Sequence, residues 1–296
     1  MNEKYQMIQT LKTYFGYDSF RPLQEEIIHN LISKKDSLVL MPTGGGKSIC
    51  YQLPALLMEG TAIVISPLIS LMKDQVETLR ANGIPAGALN SSNDETENAN
   101  LRRACISGQL KLLYISPEKL LSEADYLLRD MTLSLFAVDE AHCISQWGQD
   151  FRPSYLGIAD FVSQLPERPV LGAFTATATP DVKADIRRLL ELREPLELTT
   201  GFDRENLYFE VQQPSDKRAA LLELVKSRPG KCGIVYCATR KTVEEVCDFL
   251  RQRGVSAARY HAGLDPEERQ RNQEDFLYDR VQVMVATNAF GMGIDK

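Results

Sequence analysis

Short apolar runs separated by helix-length segments recur along the whole chain, and this alternation limits the possible folds more than any other feature. In the first two thirds the runs are SLVLMP (37–42), TAIVISP (61–67), LKLLYISP (110–117), LSLFAVDE (133–140) and VLGAFTAT (170–177). Each is apolar almost throughout rather than on alternate positions, the pattern of strands buried on both faces of a parallel sheet with crossover helices. The fold class is therefore α/β, with a doubly wound lobe over residues 1–202. A second series, LYFEVQ (207–212), KCGIVYC (231–237), AARYHA (257–262) and VQVMVAT (281–287), with a helix over 239–253, predicts a second such lobe over 203–296. Between them TTGFDRENL (199–207) follows neither periodicity and is the expected hinge. Lobes of this kind bind ligands at the carboxyl ends of their strands.

Composition narrows the function less than pattern does. With 44% hydrophobic and 25% charged residues the chain is of the globular kind, and its 296 residues suit two domains. No apolar run approaches the roughly 18 residues of a membrane span, and the start MNEKYQM is polar, so the expectation is a cytoplasmic protein with no membrane partner. A net charge of −6 excludes a uniformly basic coat, although a local cationic groove can still hold nucleic acid. The six cysteines lack paired C-x-x-C spacing and read as reduced, buried thiols, with no zinc site in this segment.

The segment MPTGGGKS (41–48) follows a strand and precedes ICYQLPALL, which reads as a helix. Thr43, Gly44, Gly45 and Gly46 would let backbone amides wrap phosphate oxygens at a helix amino terminus. Lys47 would reach the β and γ phosphates of ATP, and the Ser48 hydroxyl would ligate Mg2+. Met41 stands where the strict motif has its first glycine. A second strand ends in the acids of DEAH: Asp139 would hold the metal through its hydration shell, while Glu140 would orient and deprotonate water. Alone, DEAH could be a helix cap, a reading that MPTGGGKS upstream disfavours. In the loop that follows, Trp147 and Phe151 lie among Asp150 and Arg152, a combination suited to stacking on unpaired bases and holding phosphates. The alternative is that both rings fold back into the core.

MPTGGGKS, DEAH and TATAT (175–179) together resemble the superfamily 2 helicases, and CISQWGQDFRPSY (143–155) after DEAH resembles the aromatic-rich loop of the RecQ family of DNA helicases. The resemblance runs from FGYDSFRPLQ (15–24) to ATNAFGMGIDK (286–296). It implies two RecA-like lobes, the second incomplete, that use ATP and Mg2+ to unwind DNA 3′ to 5′ in repair and recombination, acting on single-stranded and partly duplex DNA. Carried over by position, it puts adenine against Tyr17, Arg21 and Gln24, and the ribose against Asp295. Ser66, Ser70, Ser116 and Ser145 fall in DNA-contacting or coupling segments, as do Trp147, Asp150, Phe151 and Arg152. Thr175 and Thr177 match the segment coupling nucleotide state to lobe movement, and Arg240, His261 and Thr287 match strand-contacting or coupling positions. Gln149 departs from the histidine common in the family. The family pattern continues past GMGIDK with an arginine-rich segment, so the expectation is a second lobe truncated at its carboxyl end and weak hydrolysis by these 296 residues alone.

Overall fold

The computed structural model describes residues 3–90, 93–127, 131–148, 150–201, 207–288 and 290. The chain divides into two compact units, residues 1–204 and 205–296.

The first unit runs in chain order through α1 (Glu3–Thr10), α2 (Gln24–Ile32), β1 (Ser37–Leu40), α3 (Ile49–Leu57), β2 (Thr61–Ile65), α4 (Ile69–Ala81), β3 (Ala86–Leu89) and α5 (Glu95–Ile106). It continues through β4 (Leu112–Ile115), α6 (Pro117–Leu127), β5 (Leu133–Val138), α7 (Gly157–Ser163), β6 (Val170–Thr175), α8 (Pro180–Leu189) and β7 (Leu196–Thr199). The strands form one parallel sheet in the order β3-β4-β2-β5-β6-β1-β7. Because successive side chains of a strand point to opposite faces, β1 feeds two cores at once. Leu38 and Leu40 pack with Ile63, Phe136 and Val138 on one face, while Val39 and Met41 pack with Val64, Tyr51 and Phe174 on the other. The continuous apolar runs are the direct consequence.

Strand order matters for the site. β2, β5, β6 and β1 are consecutive, so the segments beginning at Ser66, Asp139, Ala176 and Met41 leave the sheet side by side on its carboxyl rim. Short backbone bonds keep that rim in register: Asp139 N donates to Ile65 O at 2.9 Å and Met41 N to Thr175 O at 3.0 Å. The opposite rim is clamped by Asp36, whose carboxylate receives Arg168 Nη2 at 2.6 Å, Leu171 N at 2.9 Å and Arg193 N at 2.7 Å.

The second unit contains α9 (Lys217–Lys226), β8 (Gly233–Tyr236), α10 (Arg240–Gln252), β9 (Ala257–Tyr260), α11 (Pro266–Leu277) and β10 (Val283–Ala286), with a parallel sheet in the order β8-β10-β9. The Thr239 hydroxyl accepts from Thr242 N at 3.1 Å and so starts α10, whose Val243, Val246, Cys247 and Leu250 pack on Val283 and Val285.

Three expectations about the elements need correction. LYFEVQ is not a strand: residues 207–212 are irregular, with Tyr208 83%, Phe209 85% and Val211 92% exposed. Its alternating pattern suits a strand, but none of the described strands pairs with it, and an unpaired strand has nowhere to send its backbone bonds. Two strands, β3 (AGAL) and β7 (LELT), stand where none was expected. The cysteines are free as read, yet Cys232 is exposed and Cys237 half-buried, unlike Cys50, Cys105, Cys143 and Cys247.

Candidate functional site

The glycine loop hangs from β1 by Met41, whose buried side chain lies under Gly45: a Cβ there would come within 2.7 Å of Met41 Cγ and 2.9 Å of Pro42 O. Met41 thus serves the core at the position where the strict motif has a glycine. Gly44 and Gly46 adopt φ of +78° and +83°, the left-handed region that favours glycine. From α2 the buried Gln24 reaches this loop, its Nε2 donating to Gly46 O at 3.0 Å while its Oε1 accepts from Arg21 N at 2.8 Å. A Cβ on Gly46 would run into that amide. The Arg21 guanidinium donates to Gly44 O, and Tyr17 stays exposed nearby in sequence.

Lys47 closes the loop against the end of β5. Its Nζ lies 3.0 Å from Asp139 Oδ1 and 3.1 Å from Glu140 Oε1. Burial pulls the ammonium pKa down, but attraction to Asp139 and Glu140 outweighs it and the net displacement is upward, so the lysine is charged at neutral pH. Asp139 is held from three further sides: its Oδ1 accepts from Glu140 N at 2.9 Å, its Oδ2 from Tyr51 Oη at 3.5 Å, and its carbonyl from Tyr155 Oη at 3.0 Å. Glu140 has φ 47° and ψ 45°, a left-handed backbone that a non-glycine residue takes only when its surroundings impose it. Ser48 is half-buried at the start of α3, and its hydroxyl caps nothing there.

From Glu140 a polar path continues. His142 Nδ1 sits 3.4 Å from Glu140 Oε2 and 2.9 Å from Thr175 Oγ1. The Thr175 hydroxyl donates to Thr177 O at 3.0 Å, so the ring nitrogen is the donor in the His142–Thr175 bond. Sequence reasoning passed over His142, although the last letter of DEAH was its signal. Beyond the short 3-10 turn Ala141–Ile144 the chain exposes Trp147 to 78%, which excludes the core alternative for this ring. Phe151 is half-buried, Asp150 exposed, and Arg152 Nη1 donates to Pro67 O at 2.9 Å, tying the loop to the segment after β2. In that segment Ser66 is buried with a hydroxyl that has no partner among the described residues, and Ser70 is exposed on α4. Ser116 Oγ accepts from Lys119 N at 3.3 Å at the start of α6. Ser145 is fully buried, its hydroxyl donating to Asp185 Oδ2 at 2.7 Å.

In the second unit, His261 is buried with Nδ1 accepting from Gly263 N at 3.1 Å, which leaves Nε2 to donate to Glu244 Oε1 at 2.7 Å. Arg240 is exposed at the first turn of α10, and its Nη1 would lie 3.2 Å from a Cβ on Gly263. Thr287 N donates to Tyr260 O at 3.1 Å at the end of β10. Asp295 and Gln149 lie outside the described residues.

Among the described residues no group of three or more His, Cys, Asp or Glu could hold a metal ion by itself. The donor set on the rim, a hydroxyl and two carboxylates beside a glycine loop, instead fits magnesium carried by a phosphate, which takes one or two protein carboxylates and keeps much of its water. No helix among the described residues is long and apolar enough to cross a membrane.

Known proteins are similar to this chain in sequence and in fold. A DEAD/DEAH box helicase domain matches residues 21–185, and a helicase conserved C-terminal domain matches residues 216–296. The ATP-dependent DNA helicase RecQ of Haemophilus influenzae is 48% identical over 99% of this chain and 48% of its own length. That of Bacillus subtilis is 49% identical over 97% of the chain and 49% of its own length. The chain spans about half the length of these curated relatives. Among solved structures, Saccharomyces cerevisiae Dbp5 bound to RNA and ADP BeF3 superposes with a TM-score of 0.72 at 20% identity, over 96% of this chain and 74% of that one. The fold and these matches agree, and the chain belongs to the DEAD/DEAH box helicases.

Proposed function

We propose that this chain is the motor of an ATP-dependent DNA helicase that moves 3′ to 5′ along one strand and unwinds duplex DNA in repair and recombination, in the cytoplasm. The observation that carries the reading is the closeness in chain and in bonding of two parts: the Lys47–Asp139–Glu140 cluster with its bonded His142, and the loop that follows His142 and exposes Trp147 five residues further on. A site touching both nucleotide and DNA can make hydrolysis depend on DNA. The names of the relatives, ATP-dependent DNA helicase RecQ, support the choice of substrate.

In this reading Tyr17, Arg21 and Gln24 receive the adenine, Thr43 and Gly44 to Gly46 surround the phosphates, and Asp295 meets the ribose. Magnesium ATP supplies the γ-phosphoryl group together with the cation that neutralises it. Lys47 leaves the carboxylates for the phosphates and stabilises the charge that develops there. Glu140, freed of its lysine, orients a water and accepts its proton, while Asp139 and Ser48 hold the metal's shell. His142 and Thr175 report the state of Glu140 to the segment ending at Thr177. Trp147 and Phe151 stack on unpaired bases, with Asp150 and Arg152 beside them. Ser66, Ser70 and Ser116 approach the backbone of the strand, and in residues 203–296 Arg240, His261 and Thr287 serve strand contact or coupling, the buried His261 by coupling. DNA affinity that differs between nucleotide states then becomes stepping.

Hydrolysis measured with single-stranded DNA and with RNA of the same length tests the substrate. The expectation is stimulation by DNA and little by RNA. Equal stimulation by RNA would move the chain to the RNA helicases, and none by either would leave a nucleotide-binding module without a motor.

A further inference from the structure

The Trp147 loop is anchored through Ser145 to Asp185, a residue that belongs to none of the motifs described above. Ser145 is the last buried residue before the exposed ring, and its hydroxyl is engaged twice: it donates to Asp185 Oδ2 at 2.7 Å and accepts from Trp147 N at 3.2 Å. A hydroxyl has one hydrogen, so the bond to Asp185 fixes the direction in which its lone pairs face Trp147 N–H. The turn is tight as well. Gly148 N donates to Ser145 O at 3.0 Å, and a Cβ on Gly148 would run into the carbonyl of His142.

Asp185 stands on α8, which starts directly after Thr175–Thr177 with the Thr179 hydroxyl accepting from Val182 N at 3.3 Å. Residues 142–147 are therefore held at two points: by Thr175 at the end of β6, which receives His142, and by Asp185 on α8, which receives Ser145. A displacement of the loop is thereby passed to the segment that reaches His142 and Glu140. The other carboxylate oxygen of Asp185 receives Arg188 Nη2 at 2.6 Å, but that guanidinium is mostly exposed, and exposed pairs of this kind contribute little. The Arg188 guanidinium and then the Ser145 hydroxyl hold the Asp185 carboxyl below the usual aspartate range, so it is an acceptor at neutral pH.

We propose that Asp185 is the positioning residue of the Trp147 loop: through Ser145 it holds the loop in its DNA-receptive arrangement and couples it, by way of α8, to the hydrolytic carboxylates. The proposal rests on the reading of that loop as the DNA-stacking element.

The test uses Asp185→Ala, Asp185→Asn, Ser145→Ala, the Asp185→Ala/Ser145→Ala double variant and Arg188→Ala, with circular dichroism melting as the folding control. Trp147 is the single tryptophan, so its emission and its anisotropy decay report the loop directly. Without DNA, Asp185→Ala should add a fast local component to the decay and leave the slow basal hydrolysis unchanged. With an oligo-dT probe, its affinity and its stimulation of hydrolysis should fall about tenfold, as for loss of one hydrogen bond to a charged group. The double variant should be no worse than Ser145→Ala. Asp185→Asn, which keeps an oxygen for the Ser145 hydroxyl, should recover most of the loss, and Arg188→Ala should behave as wild type. Additive effects in the double variant, or an Arg188→Ala as impaired as Asp185→Ala, would overturn the proposal. If oligo-dT leaves wild-type emission unchanged, the DNA-stacking reading fails and takes the coupling part of the proposal with it. An anisotropy decay unaltered in Asp185→Ala overturns the positioning part regardless of DNA.

Discussion

Lys47 bonded to both Asp139 and Glu140 carries much of the chemistry available to the rim, and it separates stability from activity in a measurable way. Lys47→Ala removes the cation that would neutralise the triphosphate, so hydrolysis should fall to the background of the assay. The same change leaves two neighbouring carboxylates facing each other without their counter-charge, which should lower the melting temperature modestly while circular dichroism keeps its shape. Turnover near wild type in that variant would mean that the phosphates bind elsewhere. Several of these residues were legible from their order alone: glycines before a lysine and acids ending an apolar strand announce themselves. The contacts that complete the site were not. Thr175 meets His142 across 33 positions and Asp185 meets Ser145 across 40, and no local pattern encodes such a pairing.

Among the elements, those best predicted from sequence are the central strands, because β1, β2, β5 and β6 are buried on both faces and are therefore mostly apolar. The edges escaped for the converse reason. β3 is Ala-Gly-Ala-Leu, poor in strand-favouring side chains, and β7 alternates half-buried leucines with exposed polar residues at the other edge of the sheet. LYFEVQ erred in the opposite direction, since composition describes a strand but pairing makes one. At the amino rim, β1, β6 and the turn before β7 meet on the Asp36 carboxylate, which takes four hydrogen bonds from Arg168, Leu171 N and Arg193 N. Asp36→Ala should therefore leave a half-buried guanidinium and two amides without their carboxylate acceptor and cost about 2 to 4 kcal/mol of the first unit's stability. Urea unfolding monitored by circular dichroism would measure it, and a loss below about 1 kcal/mol would contradict the clamp.

At the scale of the whole molecule, several carboxylates hold their native partners in charged form. Bonds from Arg102 keep Glu123 below its ordinary value of 4.5, and for Glu244 the bonds from His261 and Arg259 outweigh burial, which pushes the other way. Since their folded pKa values are depressed, the stability they contribute is complete above the unfolded value and is lost as pH falls through the folded one. The melting temperature should thus hold from neutral pH down to about 5 and drop below it. Arg102→Ala should make the drop shallower, and an acid profile unchanged by it would remove Glu123 from the account. The chain as a whole is acidic, with a net charge of −6, and the rim adds no bare negative pair to that because Lys47 lies between the two acids. A free divalent ion arriving ahead of any nucleotide would have to evict a tethered ammonium from a place it occupies at no loss of translational freedom. In the reading proposed above, the metal would therefore reach these carboxylates together with the triphosphate rather than ahead of it. Calorimetric titration with magnesium alone should give no heat of binding at this rim until the nucleotide is added.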